Sequence, residues 1–316
     1  MKSVDLVIRG GRVVSPDRIV EASVAIAGEH IVAVGHDDVM PPATREMRAD
    51  GLYLLPGAID SHVHFRDPGY PHKETWETGS AAAACGGVTT VFDMPNTNPP
   101  TGTREALALK LKAAERSYAD FGIHALFGDD TVGHLEDLVE AGATSFKAFV
   151  GNTFGNLPAP TDGALLEGFE KLAPLGIRTV VHAENSSIMA RRQKVLQDAG
   201  RIDAQAHLDA RPAVAEIEAI GRVITLAEWT GARVHIAHHS AADSLYLLRA
   251  AKARGVDLTV ETCPQYLLLN TDDILRLGGI LRVNPPVREP RHNLTLWDAL
   301  MDGTFDMYAT DHAPHT

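Results

Sequence analysis

The sequence predicts an α/β protein built on a (β/α)8 barrel of the TIM type, preceded by a small β-rich portion. Short aliphatic runs alternate with helical patterns eight times, as in parallel strands joined by helices. Polar residues suited to chemistry follow several of these runs, and barrel active sites lie at the C-terminal strand ends. A doubly wound open sheet is disfavoured because no GxGxxG turn follows any strand.

The N-terminal part, residues 1–52, contains β-type runs separated by glycine or proline turns. These runs are "VDLVIRGGRVV", "EASVAIAGEHIVAVG" and "REMRADGLYLL". They predict a small antiparallel sheet or half-sandwich. The rest of the chain, residues 53–316, is assigned to the barrel.

Eight runs are assigned as barrel strands. They are "GAIDSHVH", "VTTVFDMP", "GIHALFG", "ATSFKAFVG", "IRTVVHAE", "ARVHIAHHS", "VDLTVETCP" and "FDMYATDHAP". Helical patterns between them include "TREALALKLKAAERSYAD", "TVGHLEDLVEAG", "AVAEIEAIGRVITLAEWTG", "AADSLYLLRAAKARG" and "LTLWDALMDG". The sequence stops at Thr316, directly after the eighth run, so we expect that the last helix and a C-terminal part are missing from it.

Composition and charge exclude several classes of protein. The 316 residues are 45% hydrophobic and 22% charged, which is ordinary for a globular protein. A net charge of −12 argues against nucleic acid and anionic membranes as partners. The two cysteines, Cys85 and Cys263, are far apart, so no disulfide framework is expected. With no long apolar run, the chain is predicted to be cytoplasmic.

Six residues at five predicted strand ends form a metal-binding pattern. They are His62 and His64 after strand one, Lys147 in strand four, His182 after strand five, His238 after strand six and Asp311 after strand eight. Taken singly, each has an ordinary explanation, such as a hydrogen-bonded core histidine or a lysine whose stem packs on phenylalanine. At the mouth of one barrel they would meet, and four imidazoles with a carboxylate favour a divalent metal.

The motifs around these residues resemble the cyclic-amide branch of the amidohydrolase superfamily. They are "DSHVHFRDPG", "FKAFVG", "HAEN", "ETCPQYL", "VNPPVREP" and "TDHAPHT". This branch contains dihydroorotases, allantoinases and hydantoinases. "MPNTNPP", the arginine of "HFRDPG" and "DHAPH" are most similar to dihydroorotases.

The resemblance implies a centre with two divalent metal ions, expected to be zinc. It assigns His62, His64 and Asp311 to one ion and His182 and His238 to the other, with Lys147 bridging both. Lys147 would have to be carboxylated by carbon dioxide, because a lysine ammonium has no lone pair for a metal. Apolar neighbours would disfavour the ammonium, and Phe146 and Phe149 are candidates. Asp311 would be the catalytic acid–base, taking a proton from water and passing it to the ring nitrogen.

The resemblance also implies the substrate contacts. Arg66, Asn96 and His315 would surround a substrate carboxylate, and Asn284 would bind the ring edge. The alternative for Arg66 is a loop salt bridge with Asp67. The expected reaction interconverts L-dihydroorotate and N-carbamoyl-L-aspartate in pyrimidine biosynthesis. Allantoinase or hydantoinase activity and a catalytically silent scaffold are the alternatives. A small anionic cyclic amide as substrate and a homo-oligomer are expected.

Two positions depart from the pattern of the branch. His239 stands where relatives carry an aliphatic residue, so either His238 or His239 could be the ligand. Counting along "HIxHxS" selects His238 and leaves His235 and His239 with structural or supporting roles. Gln265 in "CPQYL" replaces a histidine common in relatives, which makes a difference in activity or substrate choice possible.

Overall fold

The computed structural model describes residues 3–151, 157 and 159–315. Within them the chain divides into two compact units, and the division falls between Ala58 and Ile59. Each unit has its own sheet.

The N-terminal unit is a five-stranded sheet with a small core around Val4, Val7 and Ala25. Its strands are β1 (Val4–Val14), β2 (Ile19–Ala27), β3 (His30–Gly35), β4 (Ala43–Arg48) and β5 (Tyr53–Leu54). The order is β3-β2-β1-β4, and β5 also pairs with β1. β2 is antiparallel to β1 and β3, but β4 and β5 run parallel to β1. The prediction of an antiparallel sheet was therefore wrong for β4 and β5, because residues 36–42 carry the chain across to the far side of β1.

The second unit is the predicted eight-stranded barrel. Its strands are β6 (Ala58–Val63), β7 (Val88–Asp93), β8 (Asp120–Phe127), β9 (Ser145–Phe149), β10 (Arg178–His182), β11 (Arg233–Ile236), β12 (Leu258–Thr262) and β13 (Met307–Tyr308). They are ordered consecutively from β6 to β13. A parallel bridge between Val63 and His312 joins the first strand to the segment after the last. Each strand overlaps a predicted run, so the barrel prediction is confirmed.

Helices cover the outside of the barrel. They are α1 (Trp76–Cys85), α2 (Arg104–Ala114), α3 (Leu135–Glu140), α4 (Asp162–Leu172), α5 (Ser186–Asp198), α6 (Ala204–Ala210), α7 (Ala213–Thr230), α8 (Leu245–Ala253), α9 (Pro264–Leu268), α10 (Ile274–Leu277) and α11 (Pro290–Met301). Strand residues such as Val91, Ile123 and Val234 pack against helix residues such as Leu107 and Leu248 in one core. In the described part of the chain, no helix has both the length and the apolar character needed to cross a bilayer.

Polar N-cap side chains fix the residues at which several helices begin. Thr75, Thr103 and Thr161 each accept a hydrogen bond from a backbone N–H in the first turn of α1, α2 and α4. Asn185 does the same for α5, accepting from the N–H groups of Ser187 and Ile188. Such caps satisfy helix N–H groups that have no partner inside the helix. The cap of α5 lies three residues after the end of β10, so the loop at this point of the barrel mouth is short.

The contact between α4 and β8 depends on Gly168, and we predict that Gly168→Ala destabilises the protein. A Cβ at this buried position would lie 2.6 Å from Phe127 Cε2, well inside contact distance. Overpacking of this kind costs about 1–3 kcal/mol. Gly163→Ala, on the same helix but exposed, is the control, because its Cβ would meet only Thr161 Oγ1 at 3.9 Å. Chemical denaturation should show a lower free energy of unfolding for Gly168→Ala alone, and equal effects would contradict the packing argument.

Candidate active site

One cavity at the C-terminal ends of the barrel strands, about 320 Å³ in volume, is lined by every site residue predicted from the sequence. These residues are His62, His64, Arg66, Asn96, Lys147, His182, His238, Asn284, Asp311 and His315. They come from segments up to 253 residues apart (315 − 62). The barrel brings them together because its parallel strands end at one face. The role of each residue stays a prediction at this point.

The first group at the cavity floor is His62, His64 and Asp311. His62 lies in β6 and His64 follows it by two residues, so both imidazoles project to the same side. Their ring centroids are 5.3 Å apart. Asp311 Oδ1 lies 3.3 Å from His62 Nε2 and 3.2 Å from His64 Nε2. The carboxylate thus sits between the two imidazoles, with both Nε2 atoms directed towards it.

The second group is His182, at the end of β10, and His238, two residues after β11. His182 Nδ1 lies 2.9 Å from His238 Nε2, and the rings of His238 and His62 are 5.2 Å apart. His62, His238 and Asp311 offer three donor atoms that all lie within 4.8 Å of one another. Two imidazole nitrogens and a carboxylate oxygen suit a divalent transition metal. The donor set therefore fits the metal that the sequence predicts.

Burial keeps three of the four imidazoles, those of His64, His182 and His238, neutral. It lowers the pKa of His64 to about 3, and it also lowers the pKa of His182 and of His238. A histidine binds a metal through the lone pair of a neutral ring. Each of these three neutral rings therefore has one nitrogen lone pair that could bind a cation at neutral pH.

Three residues of the cavity have left-handed backbone conformations. The φ angles are +62° for Arg66, +38° for His238 and +50° for Asp311. Non-glycine residues rarely adopt such angles, and when they do they cluster at functional sites. Among the described residues that are not glycine, these three are the ones with positive φ. The surrounding fold holds this strain and thereby aims the three side chains into the cavity.

Lys147 is a fully buried amine in the middle of β9. Its Nζ has no hydrogen-bond partner among the described residues and lies 5.4 Å from the centroid of the Phe149 ring. Burial lowers the pKa of Lys147 to about 8. An unpaired buried amine is costly. Phe149 is an apolar neighbour of Lys147, as predicted. The lack of a hydrogen-bond partner for Nζ indicates that a bound or covalently attached group would stabilise this position.

The cavity contains His238 and not His239. His239 Nδ1 lies 3.5 Å from Glu216 Oε1, and its Nε2 lies 3.4 Å from Ser244 Oγ. Neither partner belongs to the cavity lining. The placement of the two histidines agrees with the choice of His238 from "HIxHxS".

Arg66 and His315 lie together on the cavity wall. Arg66 Nη2 is 3.1 Å from His315 Nε2, and Lys73 Nζ is 3.2 Å from His315 Nδ1. Arg282 also lines the cavity, so the rim is cationic although the chain is acidic. The Asp67 carboxylate pairs with Arg116 at 2.5 Å, which gives Asp67 a partner other than Arg66.

Asn96 and Gln265 complete the lining. Asn96 Oδ1 accepts a hydrogen bond of 2.6 Å from His64 Nδ1. This bond leaves His64 Nε2 with the lone pair that faces Asp311. Asn96 therefore holds a predicted metal ligand, a contact that the sequence analysis did not anticipate. Gln265, in the first turn of α9, lines the cavity at the position where a histidine was expected.

Sequence reasoning missed the buried carboxylates behind the histidines. Glu184 Oε2 accepts a 2.8 Å hydrogen bond from His182 Nε2 and also pairs with Arg211. Although burial raises the pKa of Glu184, Arg211 and His182 lower it to about 2. Glu261 binds His62 Nδ1 at 2.5 Å. Their signals were visible in "HAEN" and "VETC", where an acidic residue follows or ends an aliphatic strand.

A third carboxylate, Asp93, stabilises the loops that carry His64 and Asn96. It forms a fully buried ion pair of 2.5 Å with Lys110, and its Oδ1 accepts a hydrogen bond from Phe65 N. Lys110 Nζ also donates to Met94 O. The pair thus ties α2 to the segments just after β6 and β7. Nothing in the pattern of α2 marked Lys110 as buried.

Comparison with known proteins gives the class. Residues 53–316 match the Amidohydrolase family. An allantoinase from Solibacter usitatus (strain Ellin6076) is 42% identical over 316 residues, covering 98% of this chain and 68% of that protein. An allantoinase from Rubrobacter xylanophilus (strain DSM 9941 / JCM 11954 / NBRC 16129 / PRD-1) is 41% identical, covering 99% and 69%. The solved structure of L-hydantoinase (dihydropyrimidinase) from Arthrobacter aurescens matches with a TM-score of 0.95 and 35% identity, covering 99% of this chain and 70% of that one.

The chain belongs to the Amidohydrolase family, and the prediction of a hydrolase is confirmed. The scaffold alternative is set aside. The finer prediction of a dihydroorotase is not confirmed, because the relatives are named allantoinase and hydantoinase. These names favour the alternative that the sequence analysis left open. The motif "MPNTNPP" does not by itself indicate dihydroorotate as the substrate, since its Asn96 contacts His64.

The two neighbouring histidines give a direct test of the ligand assignment. We predict that His238→Asn loses bound metal, whereas His239→Asn keeps it, because only His238 faces the cavity. Asparagine tolerates the left-handed backbone at position 238, so the fold should survive. Metal content per chain, measured by plasma mass spectrometry, separates the two variants. Equal metal content in both would contradict the assignment.

Proposed function

We propose that this protein hydrolyses the ring amide of a hydantoin-type substrate such as allantoin. The observation that carries the proposal is the group of His62, His238 and Asp311, whose donor atoms lie within 4.8 Å beside the buried amine of Lys147. The choice of ring rests on the named relatives. In this reaction water adds to a ring carbonyl, the carbon–nitrogen bond breaks, and the ring nitrogen takes up a proton.

The proposed centre contains two divalent ions, expected to be zinc. His62, His64 and Asp311 would hold one ion, His182 and His238 the other, and carboxylated Lys147 would bridge them. Support for the modification comes from the orphaned Nζ and from burial, which lowers the pKa of Lys147 to about 8. Only the neutral amine reacts with carbon dioxide, and at a pKa near 8 a useful fraction is neutral at physiological pH. Carboxylation would convert this unpartnered buried amine into an anionic carbamate that can bind metal ions.

Asp311 is the proposed acid–base residue. Although burial opposes ionisation, His62 and His64 hold the pKa of Asp311 well below its usual range. It is therefore ionised, which is the state required of a group that takes the proton of the attacking water and passes it to the leaving nitrogen. A bound divalent ion would supply acidified water and polarise the scissile carbonyl. The left-handed backbone of Asp311 aims the carboxylate between His62 and His64.

The second candidate substrate is L-dihydroorotate. The observation in its favour is the cationic rim, where Arg66 and Arg282 line the cavity and His315 lies 3.1 Å from Arg66. A guanidinium suits a carboxylate, but it also binds the neutral carbonyl oxygens of a ureido group. The cationic rim therefore does not distinguish the two substrates, and a hydantoin-type ring is placed first because of the relatives' names. The predicted homo-oligomer and cytoplasmic location stay predictions.

A substrate panel tests the proposed function. We expect turnover of allantoin or a 5-substituted hydantoin to exceed turnover of L-dihydroorotate by at least about tenfold in kcat/KM, equivalent to about 1.4 kcal/mol. The measurement is the rate of ring opening for each substrate on the same zinc-loaded preparation. The control is enzyme treated with a chelator, which should lose activity on every substrate. A preference for dihydroorotate would restore the second candidate, and no turnover of any ring would overturn both.

Lys147→Ala tests the proposed bridge. We expect this variant to lose activity and to regain part of it when short carboxylic acids are added with zinc, because a free carboxylate can occupy the vacated space. The measurement is the rate with and without added acetate or propionate. Lys110→Ala is the control, because Lys110 is also a fully buried lysine but lies outside the cavity lining. Added carboxylic acids should therefore not raise the activity of this variant. Equal responses of the two variants would contradict a bridging role.

A further inference from the structure

Glu261 is a buried carboxylate that contacts two predicted metal ligands from behind. It lies in β12, the seventh barrel strand, and is 1% exposed. Glu261 Oε1 is 2.5 Å from His62 Nδ1 and accepts a hydrogen bond of 3.0 Å from the backbone N–H of His238. One oxygen atom thus contacts residues of β6 and of the loop after β11.

The other oxygen of Glu261 is held by a second histidine. Oε2 lies 3.0 Å from His235 Nε2 and 3.3 Å from Ser61 Oγ. His235 Nδ1 in turn lies 2.8 Å from Thr259 Oγ1, and His235 and Thr259 are paired in register across β11 and β12. The result is a continuous chain of contacts from Thr259 through His235 and Glu261 to His62.

We propose that Glu261, held in place by His235, is a positioning residue that fixes the tautomer of His62 and the backbone of His238. The inference rests on the proposed metal-dependent function and deepens it. A hydrogen bond from Nδ1–H of His62 to the carboxylate leaves the Nε2 lone pair directed into the cavity. The same oxygen accepts from the N–H of His238 and so helps to hold the strained backbone of that residue, whose φ is +38°.

The partners of Glu261 distinguish it from three other buried carboxylates of the barrel unit. Asp93 pairs with Lys110, Glu184 with Arg211 and Glu216 with Arg288. Across the residues that the structure describes, the ion-pair partners of Glu261 are His62 and His235, and neither is a permanent cation. A buried carboxylate needs a positive charge nearby. A divalent ion on the far side of His62 would supply that charge, so Glu261 is suited to a metal-loaded site.

The conservative variant Glu261→Gln tests the proposal. Glutamine keeps the shape and can still accept from His62 Nδ1, but it lacks the negative charge. Loss of such a partner typically weakens metal binding by about 10- to 100-fold. We therefore expect zinc affinity, measured by competition with a chromophoric chelator, to fall by that factor while the thermal unfolding midpoint with excess zinc changes little. The visible spectrum of the cobalt-substituted protein should also shift, because a neutral partner makes His62 a weaker donor to the metal.

Asp306→Asn is the matched control. Asp306 Oδ2 accepts a hydrogen bond of 2.7 Å from the N–H of Val260, the neighbour of Glu261 in β12, and pairs with Lys252, but not with His62 or His238 as Glu261 does. This variant should keep the zinc affinity and the cobalt spectrum of the wild type. If Glu261→Gln does not fold, His235→Gln replaces it, since loss of the supporting imidazole should also weaken zinc binding and shift the cobalt spectrum.

The outcomes separate this inference from the proposed function. Unchanged zinc affinity and cobalt spectrum in the folded variants would overturn the positioning role while leaving the metal-dependent function intact. A wild-type protein that binds no zinc would overturn both. A wild-type protein that binds zinc but opens no cyclic amide would overturn the proposed function alone, because the affinity difference between wild type and Glu261→Gln would still stand.

Discussion

The active cavity depends on the closure of the barrel between its first strand and the segment after its last. Val63 forms a parallel bridge with His312, and His64 N donates to His312 O at 2.7 Å. Asp60 adds hydrogen bonds to the backbone N–H and the hydroxyl of Thr310. These contacts bring Asp311 between imidazoles that lie about 250 residues earlier in the chain. Without closure, the carboxylate and the two histidines would belong to opposite edges of an open sheet.

Buried acids outside the cavity direct the histidines within it. Glu261 contacts Nδ1 of His62, whereas Glu184 contacts Nε2 of His182. Because burial lowers the pKa of His182 and His238, these rings remain neutral and keep a lone pair for a cation. The strands carry the predicted ligands, and in the proposed site the carboxylates would select which nitrogen of each ring faces the cavity. Preparation of the site therefore extends well beyond the residues that line it.

Charge is distributed unevenly in this molecule. The chain carries a net charge of −12, yet Arg66 and Arg282 line the cavity, and Lys73 lies 3.2 Å from His315, which also lines it. A concave site concentrates the local field, so a few cations at its rim can attract polar or anionic substrates against the overall charge. Net charge thus excluded nucleic acid as an expected partner but gave no guide to the substrate.

The sequence alone determined the barrel and the residues of its cavity. Strand runs and the His-x-His spacing reflect local periodicity, and parallel strands must end at one face, so residues at strand ends had to converge.

Other features depended on contacts between distant segments, which no local pattern encodes. The parallel direction of β4, the hydrogen bond from His64 to Asn96 and the support of His62 by Glu261 were decided by tertiary packing. Tertiary structure also decided that the loop after β11 turns His238, and not His239, towards the cavity. Motifs shared across a family give little information on the shape and charge of the assembled rim, which also depend on contacts between distant segments.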